Sequence, residues 1–283
     1  MNVLVATEGP QDLRTLAPHV QRLATATGGN YRAVRVLRPL LDLGSDRSPS
    51  VHQATERVAA RWKAELAAEL GGDDGLGHVD VPVLAHGQSV PGVILSSARD
   101  HHAGVIAVWS NNKGTLGQLL FGSTAATLLK DAHIPVMVVG PGVQNAVDVG
   151  PYRILVTTDG STASRAAFDA LSGLCAGQVV KATILQVLEP DSRMTLEEGR
   201  DQLRTWRSKL PDSFDVDVEI LAVTPKGGVG DAIVARAHEL GTDAIWMSTH
   251  GKSALRRFVA GSVATDVVTR SPIPVVLVKA FAD

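Results

Sequence analysis

The chain contains 283 residues, of which 45% are hydrophobic and 20% are charged, with a formal net charge of −2; these totals predict a soluble globular protein of two domains. A net charge this close to zero provides no excess of basic residues that would favour nucleic acid or a membrane surface, and an aromatic content of 4% argues against a base-stacking surface. The single cysteine, Cys175, excludes an intrachain disulfide, and no run approaches the ~20 apolar residues of a membrane helix, so a cytoplasmic protein is expected.

Strand and helix patterns alternate along the first half of the sequence. Short apolar runs predict strands at 2–7, 31–37, 79–84, 104–108 and 136–139. Apolar residues spaced three and four apart predict helices at 13–23, 51–70 and 90–98, and a further helix that ends near Lys130. This alternation is typical of parallel strands joined by helical crossovers.

The second half repeats the same alternation. Strands are predicted at 154–157, 182–188, 216–223, 243–247 and 273–278. Helices are predicted to open at Asp159, Leu196, Asp231 and Ser262. Because such crossovers are right-handed, the predicted fold is α/β and Rossmann-like, with two tandem open parallel five-stranded sheets and helices on both faces.

An internal repeat supports this division into two. The segment 4–9 reappears as 155–160, and Gly122-Ser123 corresponds to Gly261-Ser262. The closing strand after each Gly-Ser pair also recurs at the same internal spacing. We therefore predict two copies of one domain, at residues 1–140 and 152–283, joined by a linker at 141–151.

The ends of the first and fourth strands of the second half mark the predicted binding site. Open parallel sheets bind ligands outside the carboxyl ends of their strands, where the strand order changes direction. The candidate residues at these two strand ends are Thr157, Thr158 and Asp159, together with Met247, Ser248, Lys252 and Ser253.

The stretch 244–262 carries the strongest binding signal. An apolar strand breaks at Ser248, Gly251 follows in a loop, and a helical pattern resumes at Gly261. Backbone N–H groups of such a loop and helix start can converge on an anion, although an ordinary strand-to-helix turn would have the same pattern. His250 lies inside the loop, either contacting phosphate or ribose or bonding to the local backbone.

The sequence contains no convincing catalytic or metal-binding motif. Gly251-Lys252-Ser253 ends like a P-loop, but the first glycine of that motif would fall at Trp246. Neither Gly-x-Ser-x-Gly nor His-x-x-x-His occurs, so no catalytic residue and no metal site are predicted. Asp159 has two interpretations: the N-cap of a helix, or an acceptor for an exocyclic amine or a ribose hydroxyl.

Together the two halves resemble the universal stress protein family in its tandem-domain form. The matching segments are 156–159, 186–187, 247–251, 261–263 and 273–278. The ATP-binding branch of that family carries Gly-x-x-Gly, nine residues, and then Gly-Ser or Gly-Thr. Here the pattern runs from Ser248 to Gly251, continues for nine residues and ends in Gly261-Ser262, so Ser248 replaces the first glycine. The sequence leaves open whether this replacement abolishes nucleotide binding.

The resemblance implies an adenine-nucleotide alpha-hydrolase-like fold and a role for each matched residue. The residues that would flank adenine and ribose are Asp159 and Val187. Those that would hold the phosphates are Gly251, Gly261 and the hydroxyl of Ser262. Those that would line the pocket are Met247, His250 and Val263. The implied cofactor is ATP, and whether Mg²⁺ accompanies it stays open.

The first half departs further from the family pattern. Its equivalent loop begins Trp109-Ser110-Asn111-Asn112 without either loop glycine, and Glu8 stands where the second half has Asp159. We expect Trp109 to project into the pocket mouth and this site to bind nucleotide weakly or not at all. Its alternative role is structural, because family members commonly pair through their last strands, which a tandem chain can do internally as a pseudo-dimer; two chains can also pair further.

Three functions are compatible with these features. The leading hypothesis is a stress-response protein that binds ATP or another adenine nucleotide in its second half without strong catalysis. The second is an interaction module that works through its surfaces without nucleotide. The third is a slow ATPase, for which Asp159 and His250 are the polar candidates near the phosphates.

Overall fold

The computed structural model describes residues 1–44, 50–70, 77–110, 122–144, 146, 150–174, 180–192, 194–208, 210–223, 228–249 and 260–280. The first half contains β1 (Asn2–Ala6), α1 (Pro10–Ala26), β2 (Tyr31–Val34), α2 (Pro39–Asp42), α3 (Val51–Glu69), β3 (Gly77–Asp80), α4 (Val90–Asp100), β4 (Ala103–Trp109), α5 (Gly122–Asp131) and β5 (Val136–Val139). The predicted elements are all present, with ends displaced by a few residues. The short helix α2 was not predicted, because four residues show no periodicity.

The second half repeats the order without a counterpart of α2. It contains β6 (Tyr152–Thr158), α6 (Arg165–Leu174), β7 (Val180–Leu188), α7 (Leu196–Arg207), β8 (Phe214–Ala222), α8 (Val229–Glu239), β9 (Ala244–Ser248), α9 (Ser262–Arg270) and β10 (Val275–Val278). The prediction that a helix opens at Asp159 is wrong, since α6 begins only at Arg165. Gly160 has a φ of +79°, and the Ser164 hydroxyl donates to the Ser161 carbonyl (2.8 Å), so local turns occupy the segment before the helix.

The strands form one sheet in the order β3-β2-β1-β4-β5-β10-β9-β6-β7-β8. Within each half all strand pairs are parallel, which confirms the α/β fold. The two five-stranded sheets are not separate, however, because β5 and β10 pair antiparallel, with Val138 opposite Val275 and Val136 opposite Leu277. The two apolar last strands therefore cover each other's edges within one chain.

Each face of the sheet is covered by its own helices. Apolar residues of α1, α3, α6 and α7 pack on one face, where the rings of Phe168 and Trp206 stack 4.7 Å apart. Those of α4, α5, α8 and α9 pack on the other face. The central strands are buried on both sides, which explains why they read as continuous apolar runs rather than as alternating patterns.

An ion pair outside the sheet also joins the two halves. The Arg22 guanidinium in α1 lies 3.3 Å from the Asp243 carboxylate just before β9, and it donates to the carbonyls of Gly150 and Pro151 at 2.9 Å. Asp243 accepts in addition from the Arg153 backbone N–H at 2.7 Å. Both charged side chains are largely buried and have several hydrogen-bond partners, as a buried pair requires.

Candidate functional site

A cavity of about 590 Å³ lies at the carboxyl edge of β6, β7 and β9. Its position is the one expected for open parallel sheets, where the strand order changes direction between β6 and β9. Its volume is within the range of small-molecule sites. The predicted site residues that line it are Thr157, Thr158, Asp159, Val187, Met247, Ser248, Gly261, Ser262 and Val263. The other predicted residues, His250, Gly251, Lys252 and Ser253, lie outside the described residues.

The N-terminus of α9 forms one wall of this cavity. Gly261 is its N-cap and so provides no capping side chain, and the Gly261 N–H donates to the Thr249 carbonyl at 2.6 Å. Ser262 and Val263, in the first turn, line the cavity with Gly261. N–H groups of a first helical turn and the positive end of the helix dipole favour an anion in such a position.

Gly261 also leaves little room for a side chain. A Cβ at this position would lie 3.4 Å from the Thr249 carbonyl oxygen, a tight contact. Its φ is −64°, so the glycine is not required by a left-handed backbone. A glycine at this position therefore lets the backbone come close to the end of β9 on one side and to the cavity on the other.

Asp159 lies at the end of β6, on the wall formed by that strand and β7. Its Oδ1 accepts from the Ser161 N–H at 3.0 Å and from the Ser161 hydroxyl at 2.6 Å. Because α6 begins six residues later, Asp159 is not its N-cap. The second interpretation of this carboxylate, as a contact for a bound ligand, remains as a hypothesis.

Ser248 is accommodated at the position where the family motif has glycine. It is the last residue of β9, and among the described non-glycine residues only His102 has a positive φ, so the Ser248 Cβ causes no left-handed strain. Ser248 is 8% exposed, and its Oγ has no hydrogen-bond partner among the described residues. A buried hydroxyl in this state is unfavourable, which suits a cavity that is completed by a ligand.

Gln186 is a site residue to which the sequence analysis assigned no role. It lies at the end of β7, is 1% exposed and lines the cavity. Its Nε2 faces Gln202 Oε1 at 3.5 Å, and Gln202 in turn donates to the Gly160 carbonyl at 3.1 Å. Gln186 Oε1 has no hydrogen-bond partner within the part of the chain that the structure describes. One signal was available in the sequence, namely a glutamine within the apolar run of β7.

A smaller cavity of about 310 Å³ occupies the equivalent place in the first half. Trp109 and Glu8 line it, as does Ser123 at the start of α5. Register relates its residues to those of the larger cavity: Trp109 pairs with the β5 end as Ser248 pairs with the β10 end. Here a tryptophan replaces a serine and the cavity is about half as large.

No cluster of His, Cys, Asp or Glu suited to a metal ion occurs among the described residues. Within the same part of the chain, no helix is long and apolar enough to cross a membrane.

Comparison with known proteins identifies the family. The model of the Universal stress protein family matches residues 1–140 and 152–279. The chain belongs to the universal stress protein family. A Staphylococcus aureus (strain USA300) protein whose name places it in this family is 25% identical over 141 residues, which cover 45% of this chain and 83% of the relative.

Solved structures show the same fold over the full length of this universal stress protein. A universal stress protein from Archaeoglobus fulgidus DSM 4304 is 20% identical and has a TM-score of 0.65, with 99% of this chain and 96% of that chain covered. A functionally unknown protein from Pseudomonas aeruginosa PAO1 is 17% identical with a TM-score of 0.57, over 99% and 92% of the two chains. The tandem arrangement is therefore shared with other proteins of this fold.

Proposed function

We propose that this universal stress protein binds ATP or a related adenine nucleotide in the cavity of its second half and does not catalyse a fast reaction. The observation that carries the proposal is the cavity of about 590 Å³ with the N-terminus of α9, whose N-cap is a glycine, in its wall. A cavity of this size accepts a nucleotide, and the helix N-terminus favours its phosphates.

The lining residues fit such a ligand in their chemistry. Ser262 and Val263 offer backbone N–H groups, and Ser262 also offers its hydroxyl, to an anion, whereas the Gly261 N–H is engaged by the Thr249 carbonyl. Asp159 and Gln186 offer acceptors at the β6–β7 wall, where the amine and hydroxyls of a nucleoside would be recognised. The buried and unpaired Ser248 hydroxyl and Gln186 Oε1 are polar atoms that a polar ligand or a water would satisfy.

The proposal that catalysis is weak rests on the groups available near the phosphates. Among the described lining residues the carboxylates are Asp159 and Glu189, and Asp159 Oδ1 is already engaged by Ser161. A general base must be within hydrogen-bond reach of its proton and have a suitable pKa. We expect phosphate release from ATP to be the same for the wild type and Asp159→Ala; a clear decrease in the variant would instead support the slow-ATPase hypothesis.

Isothermal titration with ATP, with and without Mg²⁺, tests the binding proposal. We expect saturable heat for the wild type and its loss in Gly261→Val, because the valine side chain would enter the space beside Thr249 and the cavity. Gly173→Val is the matched control: Gly173 lies in α6, and a Cβ there meets nothing within 4 Å.

Two outcomes would contradict the proposal. A flat ATP titration of the wild type would favour a nucleotide-independent interaction module. Unchanged affinity in a folded Gly261→Val variant would show that nucleotide binds elsewhere. Thermal unfolding of each variant establishes that it is folded, and Gly261→Ala, with a single added carbon, serves as the milder substitution.

A further inference from the structure

Arg35 gives the first-half cavity a cationic side chain, which the described lining of the second-half cavity does not contain. It follows β2, lines the cavity of about 310 Å³, and its guanidinium carbon lies 3.4 Å from the centre of the Trp62 ring. This stacking uses the flat face of the guanidinium and leaves its N–H groups at the edge. The Arg35 backbone N–H donates to the Asp80 carbonyl at 3.1 Å, but its side chain makes no hydrogen bond or ion pair with any described residue, although Arg35 is half-buried.

The carboxylates nearest Arg35, Asp42 and Glu65, are each paired with another arginine, so they act on Arg35 only through space. Arg38 is paired with Asp42 at 3.0 Å, and Arg61 is paired with Glu65 at 3.7 Å. The net effect of the surroundings is a pKa of Arg35 below its usual value, chiefly because of burial. The guanidinium nevertheless stays protonated at any physiological pH, so it is a cation that forms no direct ion pair with a described residue.

The remaining charges of the cavity limit what it can hold. Glu8 and Asp12 also line it, and Asp12 Oδ2 accepts from the Glu8 backbone N–H at 3.0 Å. Neither carboxylate is among the charges that affect Arg35, whereas Glu8 does affect Arg38. Arg38 lines the cavity as well, paired with Asp42. The cavity thus has a cationic part at Arg35 and Arg38 and an acidic part at Glu8 and Asp12, and the two carboxylates disfavour a ligand with several negative charges.

Comparison with the second half shows that this chemistry results from specific replacements. By strand register, Arg35 occupies the place of Gln186, and Trp62 stands against Arg35 as Gln202 stands against Gln186. Trp109 occupies the place of Ser248. Two amides and a hydroxyl are replaced by a guanidinium and two indoles, and the space that remains is about half as large.

We propose that the first-half cavity binds a small monocarboxylate, with the carboxylate on the N–H edge of Arg35 and the aliphatic part against Trp62 and Trp109. An arginine edge matches a carboxylate with two parallel hydrogen bonds. The indoles supply apolar contact, and Glu8 and Asp12 select against dicarboxylates and polyphosphates. This site is independent of the nucleotide site proposed above.

Saturation-transfer NMR with millimolar propionate, succinate or inorganic phosphate tests the proposal on the full chain. We expect saturation transfer to propionate, and less to succinate and to phosphate. Arg35→Gln, which installs the residue type of the second half, should weaken propionate binding by at least about tenfold through loss of the charge-assisted pair. Arg61→Gln is the matched control, because Arg61 is exposed and does not line the cavity.

The experiment must also establish in which cavity propionate binds. Propionate binding should persist in Gly261→Val and in the presence of ATP, since the second-half site is separate. The proposal is overturned if the wild type shows no transfer to propionate, if ATP displaces propionate, or if folded Arg35→Gln binds as the wild type does. That last outcome would make the Arg35–Trp62 stack a packing contact only. If Arg35→Gln does not fold, Arg35→Lys is tested instead, because lysine keeps the positive charge but cannot form the two parallel hydrogen bonds of a guanidinium. Unchanged propionate affinity in Arg35→Lys also overturns the proposal.

Discussion

Single residues at the ends of β7 and β9 place buried polar atoms in the wall of the larger cavity. The sequence predicted Ser248 as a departure from the family's glycine but could not show its consequence, because φ and burial depend on the surrounding fold. In the structure Ser248 has no left-handed strain, and its hydroxyl is buried without a partner. Gln186 was visible only as one polar residue in an apolar run, since its neighbours Met194 and Gln202 come from a different segment.

Ser248→Ala should raise the free energy of unfolding of the ligand-free protein by about 1 kcal/mol, because it removes a buried hydroxyl that has no partner. Ser271→Ala is the control. The Ser271 side chain is 3% exposed, but its hydroxyl donates to the Ile273 carbonyl and accepts from the Ile273 N–H. That substitution should lower the free energy of unfolding by about 1–2 kcal/mol. Urea unfolding of both variants measures the two effects, and a loss of stability in Ser248→Ala would show that its hydroxyl has a partner in solution.

At the scale of elements, periodicity predicted where helices and strands occur better than where they begin. The fourth and fifth strands and α9 were predicted almost as observed, because apolar runs and the Gly261-Ser262 start are local signals. The start of α6 was predicted too early, since hydroxyl–backbone turns at Ser161 and Ser164 compete with the helix. Helix α7 matters most for the site, because it carries Gln202 to the β6–β7 wall.

The N-terminus of α7 has a capping box that should contribute measurably to stability. Thr195 Oγ1 accepts from the Glu198 N–H at 3.2 Å, and Glu198 accepts from the Thr195 N–H at 2.8 Å. Thr195→Ala should therefore lower the free energy of unfolding by about 1 kcal/mol. Thr205→Ala, later in the same helix, should leave it unchanged or slightly higher, since alanine is the better helix former. Chemical denaturation distinguishes the two, and equal effects would mean that the box contributes nothing.

For the whole molecule, the repeat predicted two similar halves, and the structure adds how they join. The apolar last strands indicated which edges needed covering, and their antiparallel register emerged only from the assembled sheet. The contact of Arg22 with Asp243 spans most of the sequence and has no local signal. Near it, His19 is buried in α1, and burial lowers its pKa to about 4 despite a hydrogen bond with the Gln144 backbone and the charge of Asp243.

His19 makes the folded molecule sensitive to mild acid. Between its ordinary pKa near 6.5 and the folded value of about 4, the unfolded chain binds a proton that the folded chain does not. The contribution of the neutral imidazole is thus fully present above pH 6.5 and decreases as the pH falls through this window, by roughly 3 kcal/mol at its lower end. Thermal unfolding between pH 7 and pH 4 should show a smaller loss of stability for His19→Gln than for the wild type. Parallel pH profiles of the two proteins would contradict this assignment.

The antiparallel seam between β5 and β10 reverses the polarity of one half with respect to the other. The strands of the first half therefore run opposite to those of the second half. Because each cavity lies at the carboxyl ends of its own strands, the two cavities open at opposite edges of the sheet. A ligand in one cavity would therefore not block access to the other cavity. The two halves therefore present two cavities that are reached from opposite edges of the one sheet, so a substitution in one does not alter access to the other.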